Sequence, residues 1–356
     1  MQTRIATSRW VERYETIVIG GGQAGLAAGY HLAKRDADFL ILDAAERVGD
    51  SWRNRWDSLR LFTPAKYSAL PGMRFPAPNM HLPDKDEVAD YLERYVHRFG
   101  LPVRSMTQVT GLTQRDGRCV IHAGDTMFEA DNVIVATGPF QRPRVPALAS
   151  QLDRSILQLH SSEYRSPLGL PAGKVLVAGV GNSGAQIALE LSRVRKVWLA
   201  GTESGALPRT VLGLDLYRWL WPAFTWFSTD TRVGRRMRAR TGSTDPLIGI
   251  DPRSLTTSGI DRVGRVGSVC EGLPVSDGRA LEASVVIWCT GFRPDYSWID
   301  LPVLGTDGYP LHQRGVATAV KGLYFVGLRF QHRRTSALIG GVGLDAEYVV
   351  EALSTL

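Results

Sequence analysis

The sequence predicts an α/β protein of two Rossmann-like dinucleotide-binding domains, the second inserted into the first, and three features carry that expectation. A β-branched run, Thr16 to Ile19, leads into "GGGQAG", where Gly20, Gly22 and Gly25 spell GxGxxG and open a stretch of helical spacing. The same order returns in "KVLVAGVGNSG", with Gly179, Gly181 and Gly184. Two buried-strand patterns, "DNVIVATGPF" (131–140) and "ASVVIWCTGFRP" (283–294), both close on Thr-Gly and run into proline-containing segments, as crossings between two domains would.

In the first unit Leu26, Tyr30 and Ala33 recur at helical spacing, and "FLILD" supplies the next buried strand, completing a βαβ unit of about 30 residues. Its first glycine makes the tight turn, its second lets a pyrophosphate approach the backbone N–H groups at the helix start, and its third lets helix and strand pack. Gln23 and Ala24 lie in the same turn. Asp43, at the end of the following strand, is placed to accept hydrogen bonds from ribose hydroxyls. The second unit has the strand "KVLVAG", a helix carrying Ile187, Ala188 and Leu191, and the strand "KVWLAG". The two lie too far apart for a solenoid repeat. The expected division is 1–148 for the first part of one domain, 149–288 for the insert, and 289–356 for its completion with "LYFVGL" and "SALIGGVGLDAEYVV". "LDLYRWLWPAFTWF" (214–227) and the basic "RVGRRMRAR" after it are expected to form a buried helix pair with a solvated basic face, interrupted at Pro222. A substrate-channel wall or a membrane-surface foot is the alternative.

Composition bounds the function classes. The chain has 356 residues, room for roughly two domains at about 150 residues each, and its 44% hydrophobic and 22% charged content is that of a globular protein. The net charge of +7, from 42 Lys+Arg against 35 Asp+Glu, suits phosphate-bearing small molecules, and no nucleic-acid motif accompanies it. Cys119, Cys270 and Cys289 make neither a CxxC pair nor a disulfide framework, which suits a reducing cytoplasm. No metal-ligand spacing, signal-peptide core or run of roughly 20 apolar residues is present. Ser183 is no hydrolase nucleophile, because that elbow needs glycine where Ala185 stands.

After the first unit comes "RVGDSWRNRWDSLRLFTPAKYSALP" (47–71), with Gly49, Trp52 and an arginine, then Leu-Arg-Leu. Together with both glycine motifs, Ala136-Thr137-Gly138, Asn182-Ser183, "ALPR" (206–209), Cys289-Thr290-Gly291 and the C-terminal "YFVGL…SALIGGVG", this pattern resembles the flavin-containing monooxygenases, including the plant YUCCA branch and bacterial relatives, over nearly the whole chain. The resemblance implies FAD in the first fold and NADPH in the second. Hydride from NADPH would reduce FAD, and a flavin hydroperoxide formed with dioxygen would transfer one oxygen to a small organic substrate by N-, S- or 2-oxo acid oxidation. It implies further that Ser51 and Trp52 lie along the FAD, that Val109 offers backbone to the adenine, and that Gly327 and the segment around Ser336 contact the isoalloxazine beside a helix N-terminus.

Three departures from that pattern bear on chemistry. The signature before the second fold keeps His160 and Tyr164 but has Arg154 and Ile156 where phenylalanine and glycine are expected. Thr63 stands where the family has an asparagine near the flavin, and a hydroxyl donates one hydrogen bond where an amide offers two. No arginine ends the second strand of the NADPH unit, where Gly201, Thr202 and Ser204 stand, with Arg209 farther on. Thr63, His160 and Tyr164 are therefore the candidates for supporting a reaction that the cofactor itself carries. An NAD(P)H-dependent flavoprotein reductase that passes electrons to a quinone-like acceptor is the alternative, and a non-catalytic flavoprotein is a third reading.

Overall fold

The computed structural model describes residues 11–202, 205–240 and 246–353, and Ser204 lies outside them. The first strand, Val11–Ile19, is longer than its β-branched run. Its last four residues are buried, while its polar first half holds register through ion pairs of Glu12 with Arg104 at 2.6 Å and of Arg13 with Glu129 at 2.9 Å. Charged residues hid that half from a hydrophobic pattern, because cross-strand charge rather than burial supports it.

Around this strand a nine-stranded sheet assembles. Val103–Arg104, Phe39–Leu42, Val11–Ile19, Thr126–Val135 and Leu323–Phe325 lie side by side in parallel, and antiparallel strands complete the edge. The second sheet has five parallel strands, in the order Ile260–Val263, Val197–Ala200, Val175–Ala178, Val285–Trp288, Leu157–His160. Its three central strands are buried along their whole length, as all-parallel sheets require.

Corresponding backbone bonds superimpose the two units. The Gly20 N–H donates to the Leu42 carbonyl and that of Gly179 to Ala200, each at 2.8 Å; the Ala136 N–H donates to Ile19 and that of Cys289 to Ala178, again at 2.8 Å. By this correspondence Gly201 stands where Asp43 stands, and Cys289-Thr290-Gly291 where Ala136-Thr137-Gly138 stands. Beyond these segments the chain crosses between sheets twice, and the crossings pair: Arg142–Pro143 runs antiparallel to Phe292–Arg293.

The helix Val342–Leu353 packs along the first glycine helix, Gln23–Ala33, and buries Val342, Ala346, Val349 and Val350. The aromatic segment 214–227 departs from expectation. A helix, Leu216–Trp226, continues through Pro222 and buries only Leu216 and Tyr217, while Trp219 is 50% and Trp226 84% exposed. In so short a helix the proline costs one backbone bond near the middle. Tyr67 stacks on Trp221 at 5.1 Å and anchors the inner face. Among the described residues no helix is long and apolar enough to cross a membrane.

Candidate functional site

The glycine helices stand out by what their N-termini lack. An ordinary helix here, Lys85–Phe99, closes its first turn with a capping box, the Asp84 carboxylate accepting from Asp86 and Glu87 and the Glu87 side chain accepting from the Asp84 N–H. The helices Gln23–Ala33 and Asn182–Ser192 begin at Gly22 and Gly181 with no side-chain cap and no acidic residue in the first turn. Their leading N–H groups are free for an anion, which the helix dipole favours. Space is provided too: a Cβ added at Gly22 or Gly181 would meet nothing within 4 Å. At Gly25 it would strike the Gly20 carbonyl, and at Gly184 the Gly179 carbonyl. In each loop one glycine thus keeps the cradle open and another seats the helix, while Gly20 (φ +110°) and Gly179 (φ +123°) make the turn.

Asp43 closes the back of the first cradle. Its carboxylate accepts from the N–H of Gly21 at 2.5 Å and of Ala45 at 2.7 Å, and burial pushes its pKa up. Those two bonds leave lone pairs for a ribose hydroxyl. The segment bearing Val109 passes alongside, the Thr107 N–H donating to the Asp43 carbonyl at 2.7 Å, with Val109 itself half-buried. The Trp52 indole reaches the Gln23 amide at 3.4 Å and brings the short helix Asp50–Arg53, with Ser51 exposed on it, to the rim. From the C-terminal side Gly327 approaches Ala24 so closely that its Cβ would lie 2.7 Å from the Ala24 methyl. Ser336, buried, accepts from the N–H groups of His332 at 3.1 Å and Arg333 at 2.9 Å and so shapes the turn between that strand and the last helix.

Thr63 is buried and hydrogen-bonded to Ser68, Oγ to Oγ1 at 3.0 Å. Ser68 is the donor in that bond, and its hydroxyl also lies 3.1 Å from the Pro64 carbonyl. Arg209 is likewise engaged, with Asp215 at 2.6 Å and the Phe62 carbonyl at 2.7 Å. It ties the 60s segment to the insert, where a side-chain amide clamp does the same: Gln186 donates to the Arg60 carbonyl at 3.1 Å and accepts from its N–H at 3.4 Å. Asn182 grips Pro246 and Ile248 at 3.1 and 3.0 Å, Ser183 stays half-buried beside it, and Thr202 is exposed beyond Gly201.

His160 ends the edge strand of the second sheet and meets the chain crossing. Its Nδ1 accepts from the Ser162 N–H at 3.2 Å, so Nε2 carries the proton and donates to the Gly291 carbonyl at 3.0 Å. The ring meets Phe292 edge-on at 4.8 Å, and burial holds its pKa below the ordinary histidine value. Tyr164 points elsewhere: fully buried, it donates to Glu190 at 2.7 Å, and burial raises its pKa. Gln141, which sequence reasoning missed, joins both crossings by donating to Thr137 Oγ1 at 2.6 Å and the Gly138 carbonyl at 2.9 Å while accepting from the Asp295 N–H. No motif marked it, since a single glutamine after a Thr-Gly turn carries no periodic signal.

A second junction joins the insert to the C-terminal turn. The Thr229 N–H donates to the His332 carbonyl at 2.8 Å, and Thr229 Oγ1 meets His332 Nδ1 at 3.1 Å. Burial and then the charges of Arg314 and Arg333 push the His332 pKa down to about 4. A folded pKa below the unfolded one gives stability that is complete above about pH 6.5 and is lost as pH falls toward 4, roughly 3 kcal/mol for this group. Asp345, pushed up to about 6 by burial, acts with the opposite sign between pH 4 and 6. His332→Gln is therefore expected to flatten the acid limb of a denaturant-derived stability profile between pH 6.5 and 4; an unchanged limb would mean that His332 already binds its proton in the folded protein.

The model of the pyridine nucleotide-disulphide oxidoreductase family matches residues 17–207. An uncharacterised CzcO-like oxidoreductase of Geobacillus kaustophilus is 43% identical over 94% of this chain and 97% of its own length. The indole-3-pyruvate monooxygenase YUCCA4 of Oryza sativa subsp. japonica is 28% identical over 94% of this chain and 86% of its own. Among solved structures, a variant of the flavin monooxygenase from Stenotrophomonas maltophilia superimposes with a TM-score of 0.81 at 29% identity, covering 97% of this chain and 99% of that one.

Proposed function

This chain belongs to the pyridine nucleotide-disulphide oxidoreductase family, among its flavin-monooxygenase-like members, and from that premise we propose an FAD- and NADPH-dependent monooxygenase that transfers one atom of dioxygen to a small organic substrate. The observation that carries the reading is the pair of uncapped, open glycine cradles at the ends of parallel strands in two sheets, one for each dinucleotide pyrophosphate. In this reading the first domain spans 1–148 and 289–356 and the insert spans 149–288.

The residues fit both groups. The free N–H groups behind Gly22 would take the FAD pyrophosphate, with Asp43 on the ribose and Trp52, Gly327 and the turn around Ser336 toward the flavin end. Those behind Gly181 would take the NADPH pyrophosphate. A carboxylate where Gly201 stands would repel a 2′-phosphate, so its replacement by glycine, with the Thr202 hydroxyl next to it, favours NADPH over NADH. We assign Arg209 to the junction, since Asp215 and Phe62 already hold its guanidinium. Bound flavin supplies hydride acceptance and electron transfer to dioxygen; the protein orients nicotinamide against it and keeps water out.

One observation favours a second reading, a flavoprotein reductase that inserts no oxygen. Thr63, buried and engaged by Ser68, has a single hydroxyl proton to offer where an amide would offer two. A disulfide-reducing version is disfavoured, because burial raises the Cys119 thiol to about 11 and no cysteine pair accompanies it. The test is the ratio of hydrogen peroxide released to NADPH consumed across a panel of amines, thioethers and 2-oxo acids. A ratio that falls well below one with a panel member, with oxygen from labelled dioxygen in the product, is the expected result. A ratio of one throughout would favour the reductase.

A further inference from the structure

The arginine helix Arg232–Arg240 is more than a solvated face. With the C-terminal edge of the first sheet it borders an open cleft of about 630 Å³, lined by Thr229, Asp230, Arg235, Arg238, His312 and Arg314. That volume lies within the roughly 300–1,000 Å³ of small-molecule sites. Three guanidinium groups face one carboxylate, and that carboxylate is drawn aside toward His332 at 3.5 Å.

The cations are set up differently from ordinary surface arginines. Arg314 lies over the Tyr348 ring, 3.7 Å from its centre, and its buried Nε has no hydrogen-bond partner among the described residues. Arg235 is held by the carbonyls of Thr229 and Asp230 at 3.0 and 2.9 Å. Arg238 has no carboxylate partner among the described residues, and after burial its charge is the second cause of the depressed His312 pKa. Although Asp230 lies among them and Asp345 interacts with Arg314, positive charge is in excess along a cleft whose wall is fixed to the C-terminal turn by the bridge between Ser228 and Arg333. Such planar, fixed guanidinium groups recognise carboxylate and phosphate oxygens in pairs.

We propose that this cleft, separate from both glycine cradles, binds a small organic polyanion bearing carboxylate or phosphate groups between Arg238 and Arg314. The two sources of that chemistry are separated by titrating the full chain, loaded with FAD and saturated with NADP⁺ so that both cradles are filled, calorimetrically with citrate and with inorganic pyrophosphate at about 0.15 M ionic strength, where diffuse surface attraction is largely screened. Saturable one-site binding of either probe is expected, weakened about ten- to a hundredfold by Arg238→Glu and by Arg314→Gln. Arg115→Glu, an equal charge change on an exposed strand of the first sheet, is expected to leave it within about twofold. Citrate alone would assign the site to carboxylates, pyrophosphate alone to phosphates, and both to polyanions generally. Heats that do not saturate, equal loss in Arg115→Glu, or binding that survives Arg238→Glu and so lies elsewhere would each overturn the proposal.

Discussion

Gly181→Asp is expected to fold with an unchanged or slightly higher melting temperature while reducing its flavin with NADPH at least about a hundredfold more slowly. The backbone at Gly181 is extended (φ −75°, ψ −179°), the geometry of a helix N-cap, and aspartate is among the best residues there. Its side chain enters open space, because a Cβ at this position meets nothing within 4 Å. It also caps the N–H groups that the pyrophosphate would need in the proposed function and would set a carboxylate against a phosphate. Like charges in contact cost several kcal/mol, and about 2.7 kcal/mol is a hundredfold. Gly184→Ala should behave in the opposite sense, losing stability because its methyl runs into the Gly179 carbonyl. Anaerobic rapid mixing with NADPH, beside flavin content and thermal melting, separates the two. If Gly181→Asp kept the wild-type reduction rate, the second cradle would not be the nicotinamide cofactor's site.

That contrast between neighbouring glycines also shows how far the sequence could be read. GxGxxG after a buried run announces a turn, an open position and a packed helix, and those three geometries fall on the glycines that the spacing assigns. The paired Thr-Gly strand ends were legible for the same reason, since a buried strand followed by glycine has few uses. Side-chain roles were less accessible. Arg209 and Tyr164 read as site residues by position, yet their hydrogen bonds run to Asp215, Phe62 and Glu190, partners whose distance in space no spacing reveals. Gln141, Ser68 and Arg314 gave no signal, because each acts through a tertiary contact made by an ordinary residue type. The aromatic helix misled for a further reason. Tryptophan weighs as core in any hydrophobic pattern, but Trp219 and Trp226 sit on the outer side of a helix whose inner side already fills its contact with Tyr67.

His160→Ala is expected to cost about 2–4 kcal/mol of stability and to slow NADPH-driven flavin reduction about tenfold, with flavin content unchanged. The stability loss follows from a buried ring removed from beside Phe292 together with a Gly291 carbonyl left without its donor. The rate loss has a different origin. Gly291 and Phe292 form the return crossing, Arg142–Pro143 pairs with it, and the Arg55 guanidinium from the first domain lies over the same Phe292 ring at 5.4 Å. His160 therefore pins the crossing at the point where residues of both sheets converge, and in the proposed reaction hydride transfer would depend on how those sheets hold their two cofactors, since a misplacement of about 1 Å can cost a hundredfold. It acts as a positioning residue, neutral near pH 7 because burial lowers its pKa, so the wild-type reduction rate should show no inflection from it between about pH 6.5 and 8. His160→Gln, which keeps a donor for Gly291, should recover part of the rate and less of the stability. An inflection near pH 6.5 that vanishes in His160→Gln, or full activity in a destabilised His160→Ala, would show that the ring titrates or merely fills space, and the crossing would then not be what sets the geometry of hydride transfer.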